Sequence, residues 1–194
     1  MSGMPVFQIG ALANALEDQG FSCRIGSMEL DVHPMKRPYF ERWLSNRDGF
    51  LRFASGNVDF LGVEDVMRMG PFYNVYCLVE NNSIVDTDDN AHKLLDAAPY
   101  FQLHNGKVTS MGWSGGVIAN MLDKDTALSE EFARYIMKEE VKRITVKVAN
   151  YCCIIETRAW EPDGLAPAFR AIDRIAYNIR RLVKSIHLGE YVDK

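Results

Sequence analysis

No stretch of this 194-residue chain stays apolar for the roughly 20 residues that a helical bilayer crossing takes. Residues Met1 to Gly10 hold no basic region leading into an apolar run and a cleavage site, so no secretory signal is read there. Both absences point to a cytoplasmic protein with no membrane partner. Basic charge is not in excess either, since the formal net charge is −4. A domain whose affinity rests on neutralising phosphates reads basic, so nucleic acid is not an expected partner. The four cysteines, Cys23, Cys77, Cys152 and Cys153, contain no C-x-x-C pair. That removes zinc-knuckle and thioredoxin-type chemistry and leaves buried, reduced thiols as the expectation. The histidines, His33, His92, His104 and His187, include no i, i+4 pair and no cluster with cysteine, so no metal site is expected.

What the chain does have is an ordinary globular balance, 47% hydrophobic and 25% charged residues. Its length favours one domain spanning residues 1–194. Apolar periodicity predicts a helix over Pro5–Gln19, with Ile9, Leu12, Ala13 and Leu16 on one stripe. Four hairpins are read from turn residues between short apolar runs. They are Phe21–Val32 about Gly26-Ser27, Phe50–Leu61 about Ser55-Gly56-Asn57, Tyr73–Asp86 about Asn81-Asn82, and Tyr100–Met111 about Asn105-Gly106. Short helices are expected around Tyr39–Leu44, Val63–Met69, Asn90–Ala97 and Val117–Leu122. A longer one runs from Glu130 to Val141 with Ser129 as its N-cap, acids first and bases last. One long strand is expected over Ile144–Ile155, then a turn at Glu161–Gly164 and an amphipathic helix over Pro167–Ile186. Hairpins outnumber crossovers. The fold class is therefore α+β: a mainly antiparallel sheet with helices packed on one side, closed by the long C-terminal helix.

Phe50–Gly62 and Tyr100–Gly112 align without a gap, matching Gly56 to Gly106, Val58 to Val108 and Gly62 to Gly112. This suggests an internal duplication with units of about 21–62 and 73–112. Hairpins of unrelated origin share the same turn and alternation rules, so the pattern constrains fold and not chemistry.

The sharpest chemical motif is Gly112-Trp113-Ser114-Gly115-Gly116, which fits G-x-S-x-G between an expected strand and an expected helix. It resembles the nucleophile elbow of α/β-hydrolases, and Asp163 and His187 follow in the order Ser, Asp, His. That resemblance implies Ser114 as nucleophile and the amides of the helix start as an oxyanion hole. The hydrolase fold needs a parallel sheet, whereas this chain reads as hairpins. A turn with Ser114 as N-cap accounts for the same residues. A milder reading makes Ser114, Gly115 and Gly116 an anion site for phosphate or nucleotide at a helix N-terminus, with Trp113 beside it.

Other features carry less. Asp86, Asp88, Asp89 and Asn90 begin like a calcium loop, but Ala91 stands where glycine is required and Ala97 where the bidentate glutamate belongs. An acidic helix cap is the simpler reading. Cys152 and Cys153 are adjacent on a strand and must point to opposite faces, so Cys153 is the candidate to line a ligand cavity. Arg170, Arg174 and Arg181 share a stripe of the last helix, either a solvated face or a meeting place for an anionic partner. Two short stretches echo known families. Ser55–Phe60 resembles a segment of periplasmic-type solute-binding folds. Leu78–Asp86 with Gly115–Ile118 is similar to transport-particle and vinyl-reductase-like domains. Neither transfers a ligand-contacting residue.

With no complete catalytic or cofactor motif, the expected function is a binding module for a small ligand or a protein partner. Self-association as a homodimer is also expected. Serine hydrolysis at Ser114 and phosphate binding at Ser114–Gly116 are the alternatives.

Overall fold

Ile9, Leu12, Ala13 and Leu16 recur at helical spacing, and all four are buried. They set α1 (Ile9–Asp18) against the core with its polar side outward. The computed structural model describes residues 8–45, 49–65, 73–82, 84, 87, 89–105, 107–138, 141–159 and 162–187. After α1 come β1 (Cys23–Gly26), α2 (Met28–Asp31), α3 (Arg37–Leu44), β2 (Phe50–Phe53), β3 (Phe60–Asp65) and β4 (Tyr73–Glu80). The chain continues through α4 (Asp89–Leu95), β5 (Ala97–His104), β6 (Lys107–Gly115), α5 (Val117–Asp123) and α6 (Thr126–Met137). It ends with β7 (Val141–Ala149), β8 (Cys152–Ala159) and α7 (Pro162–His187).

The strands form one eight-stranded sheet in the order β1-β2-β3-β4-β8-β7-β5-β6, and every neighbouring pair is antiparallel. The α+β class is thus observed. Alternation along the central strands divides the side chains between two faces. Leu61, Val75, Cys77, Val146, Cys153 and Ile155 join the main core with α1 and α4 to α7. Phe50, Phe60, Tyr76, Leu78, Cys152 and Ile154 form a smaller core on the other face, against Val32, Phe40 and Leu44. Helices therefore lie mainly on one side, while α2 and α3 roof the opposite face at one end only. A Cβ at Gly62 would run into the carbonyl oxygen of Trp43, so a side-chain-free residue lets α3 sit directly on β3.

α7 is the keystone of the larger layer. Phe169 stacks on Phe53 with ring centroids 5.0 Å apart and meets Phe21 edge-on at 4.8 Å. Its polar groups tie the β2–β3 turn down. Asp173 accepts from the backbone N–H groups of Asn57 and Val58 and from the Asn57 side-chain amide. Arg180 donates to the Asn57 carbonyl oxygen and pairs with Asp59 at 2.7 Å. The basic stripe is spent in the same way: Arg170 donates to the Gln19 carbonyl oxygen, Arg174 pairs with Asp125 and Arg181 lies over the Tyr177 ring.

Several boundaries differ from the sequence expectation, each for a local reason. No hairpin turns at Gly26-Ser27. The chain enters α2, where the Asp31 carboxylate accepts from the Ser27 N–H and pairs with Arg24, and β1 pairs with β2 instead. No hairpin turns at Asn81-Asn82 either, because β3 and β8 occupy both edges of β4. The expected long strand over Ile144–Ile155 is two strands, β7 and β8, reversing at Asn150-Tyr151 with Tyr151 at φ 63°. α6 begins earlier than expected, capped by Asp125, whose carboxylate accepts from Leu128 N–H at 3.2 Å. Ser129 is therefore inside the helix. α7 starts at Pro162, so Glu161–Gly164 is not a free turn. Val63–Met69 is strand as far as Asp65, and its remainder lies outside the described residues, as do Asp86 and Asp88 of the acidic run. The two proposed repeat units pair differently: β1, β2 and β3 are contiguous, while β8 and β7 separate β4 from β5 and β6.

Candidate binding groove at the open edge of the sheet

The G-x-S-x-G segment forms the last part of β6 and the entry to α5. Ser114 is exposed, and its hydroxyl donates to the Ala98 carbonyl oxygen at 3.3 Å. Gly115 and Gly116 serve close packing: a Cβ on either would collide with the backbone of α4's end, at Asp96 and Lys93 respectively. The Gly116 N–H donates to the Asp96 carbonyl oxygen at 2.7 Å, so the amide expected to face an anion is already used. α5 has seven residues, too short a helix to concentrate a dipole at that point. Asp163 and His187 lie near opposite ends of the one continuous helix α7. At a rise of 1.5 Å per residue they are about 36 Å apart, and the Ser, Asp, His order cannot become a triad.

Trp113 and Cys153 are core residues. The Trp113 indole meets Phe132 edge-on at 6.4 Å and is 4% exposed. Cys153 is fully buried in the main core and Cys152 in the smaller one, on opposite faces as adjacent strand residues must be. Burial raises the Cys77, Cys152 and Cys153 thiols well above the usual range, and it pushes Cys23 up to about 11. Such thiols stay protonated and unreactive. Of the histidines, His92 sits 2.8 Å from the Asp96 carboxylate, and His33 lies by a separate basin at the far end of β4. The His187 side chain is outside the described residues.

The open half of β6 holds more chemistry than its glycine-rich end. β6 is the last strand of the sheet, and among the described residues only β5 pairs with it. β5 meets β7 through the single pair Ala97↔Val146, backed by the Val148 N–H donating to Asp96 at 2.9 Å. The hairpin thus projects from the sheet, leaving Tyr100 and Leu103 exposed. Trp113 pairs with Pro99, which has no N–H, and turns its own N–H outward to the Asp123 carboxylate at 3.0 Å. Antiparallel alternation then sends the N–H and C=O of Met111, two residues earlier, to the same outer side.

Facing this edge is one stripe of α6. Thr126, Ser129, Glu130, Ala133, Arg134 and Met137 recur at helical spacing and, with Asp123 and Thr109–Met111, line a groove of about 530 Å³. Ser129 is 6% exposed, and its hydroxyl finds no hydrogen-bond partner among the described residues. Leaving a buried hydroxyl unpaired costs about 1–3 kcal/mol; the Trp113 indole N–H and the Thr145 hydroxyl are likewise without a partner among the described residues, but of the three only Ser129 lines this groove. Met111, Ala133 and Met137 give the groove an apolar strip, and Glu130 and Arg134 give its rim both signs of charge. Edge strand, helix wall and recessed hydroxyl together line one groove.

The residues singled out in the sequence, Ser114, Gly115 and Gly116, lie at the other end of β6 from this groove. Ser129 was legible as a polar residue beside a helix start, and the 3.6-residue period of α6 was legible too. The signal that joins them, an unpaired sheet edge next to that helix face, exists only in three dimensions. No family model, curated protein or solved structure matches this chain.

Proposed function

We propose that the protein is a binding module that captures an extended polypeptide segment by strand addition at β6. The observation that carries this reading is the unpaired outer edge of β6 at Met111 lying beside the α6 stripe that holds the unpaired Ser129 hydroxyl. Strand addition takes its affinity from main-chain hydrogen bonds and its selectivity from alternate side chains entering pockets. Here the main-chain partner is Met111. An apolar side chain of the guest meets Met111, Ala133 and Met137, and a hydrogen-bonding one reaches Ser129. No acid–base pair is needed, and Ser114 serves the hairpin through its bond to Ala98.

The test is a selection of displayed random peptides on the purified protein, followed by hydrogen exchange of the complex. Selected peptides are expected to slow exchange of the Met111 amide and to bind at least roughly tenfold more weakly to Met137→Glu, an exposed change that leaves the core alone. Peptides whose protection maps elsewhere, or that ignore Met137→Glu, sink the reading. A second copy of the chain is the competing occupant. It is recognised by Met111 protection that appears with protein concentration in the absence of peptide.

A further inference from the structure

A second concavity shares no residue with the β6–α6 groove. Where α7 crosses the end of β4, Val79, Ile84, Ile179 and Val183 wall a slot of about 280 Å³, with Glu80, Asn81, Arg180 and Lys184 at its rim. The four apolar walls are each less than a tenth exposed, so the slot is narrow. Through Glu80, Asn81 and Arg180 it opens into a polar basin of about 860 Å³ that also takes in His33, Met35, Lys36, Asp59, Asn82 and Tyr151. The walls are held in place. Tyr151, in the left-handed region, accepts from the Asn81 N–H at 2.7 Å and donates its own N–H to the Ile84 carbonyl oxygen at 2.8 Å. That ties the β7–β8 turn to the segment after β4.

The charges around the slot do not cancel. Glu80 is matched by Lys36, whose ammonium also donates to Asn82, each at 2.6 Å. Asp59 is matched twice, by Arg180 and by Arg52, and also accepts from the Glu80 N–H. Lys184 makes no ion pair with a described residue and stands at the mouth of the apolar slot. Among the described residues that line the slot and the basin, two acids, Asp59 and Glu80, therefore face three cations, Lys36, Arg180 and Lys184. A narrow apolar slot with surplus positive charge at its mouth suits one ligand chemistry. We propose that this cleft binds a single-chain anionic amphiphile, its chain between Val79 and Val183 and its head group at Lys184 and Arg180.

Three probes of equal chain length, decanoate, decanol and decyltrimethylammonium, are titrated below their micelle concentrations and followed by calorimetry. Decanoate is expected to bind saturably at one site, and decyltrimethylammonium roughly tenfold more weakly or not at all. Lys184→Glu, an exposed change that keeps the fold, is expected to reverse that preference. Val183→Trp, if it keeps the wild-type melting temperature, is expected to abolish binding of decanoate. Equal binding of anionic and cationic chains, no saturable decanoate site, or indifference to Lys184→Glu overturns the proposal. Flotation with phosphatidylcholine–phosphatidylglycerol vesicles separates the two sources of such a chain. Vesicle binding without binding of free decanoate also overturns it. None of these outcomes bears on peptide capture at β6, because Lys184 and Val183 lie outside that groove.

Discussion

The two ends of the sheet are finished in opposite ways. At the β1–β4 end, α7 covers one face and α3 the other, Gly62 gives up its side chain to let α3 close in, and Asp173 and Arg180 clamp the β2–β3 turn. At the β5–β6 end, a hairpin joined to β7 by one residue pair projects with Tyr100 and Leu103 exposed, and among the described residues no strand lies beside its outer edge. An open edge invites pairing with other chains, which proteins suppress unless they use it. On the proposed reading, the closed end carries the packing and the open end carries the binding edge.

The largest effect that would break this contrast comes from the aromatic stack under α7. Phe169→Ala removes a fully buried ring that touches Phe53 and Phe21 and is expected to cost roughly 3–5 kcal/mol in chemical denaturation. Tyr100→Ala, at a half-exposed position of β5 in the projecting hairpin, is expected to change stability by about 0.5 kcal/mol or less. Equal costs would mean that the hairpin belongs to the core.

Alkaline titration sharpens the comparison without mutation. Cys77, Cys152 and Cys153 lie in β4 and β8, and β5 and β6 contain no cysteine. Burial raises these thiols far above the roughly 8.5 of an unfolded chain. The folded state then holds protons that the unfolded state has lost. Stability is fully present below about pH 8.5 and falls as pH rises toward the folded values. The slope approaches about 1.4 kcal/mol per pH unit for each thiol. Denaturation midpoints measured between neutral and strongly alkaline pH check this, and Cys153→Ala should flatten the slope by one thiol's share.

The clamp on the β2–β3 turn comes next. Asp173→Ala leaves the N–H groups of Asn57 and Val58 without their carboxylate and is expected to cost roughly 1–3 kcal/mol. Asp173→Asn keeps one acceptor oxygen and should recover part of that loss. Faster amide exchange at Asn57 and Val58, with β6 unchanged, would localise the effect to the closed end.

What the sequence revealed follows the same division. The amphipathic helices were legible because Leu12, Leu16, Phe169, Ile172 and Ile175 repeat at helical spacing and bury together. The hairpins at Ser55-Gly56-Asn57 and Asn105-Gly106 announced themselves by turn chemistry. The reversal at Asn150-Tyr151 did not, since a tyrosine at positive φ is uncommon and the turn is held by contacts to Asn81 and Ile84 from far along the chain. Ser129 was readable as a helix cap because cap and interior serines look alike until the cap itself, Asp125, is located. The groove was illegible for a different reason. Its two walls come from strands and helices whose adjacency is fixed by sheet order, and sheet order is decided by long-range pairing.

The smallest effect is the most informative about the open end. Ser129 buries a hydroxyl with no partner among the described residues. Ser129→Ala removes that hydroxyl and leaves the helix a better former, so it should leave stability unchanged or raise it by about 0.5–1 kcal/mol. In the middle of the sheet a buried polar group behaves the other way: Thr157 on β8 donates to the Arg143 carbonyl oxygen on β7, and removing its hydroxyl should destabilise. If Ser129→Ala is neutral or stabilising and also weakens selected peptides, the hydroxyl is retained for binding. If it destabilises, Ser129 has a structural partner, and the case for the groove loses the group that singled it out.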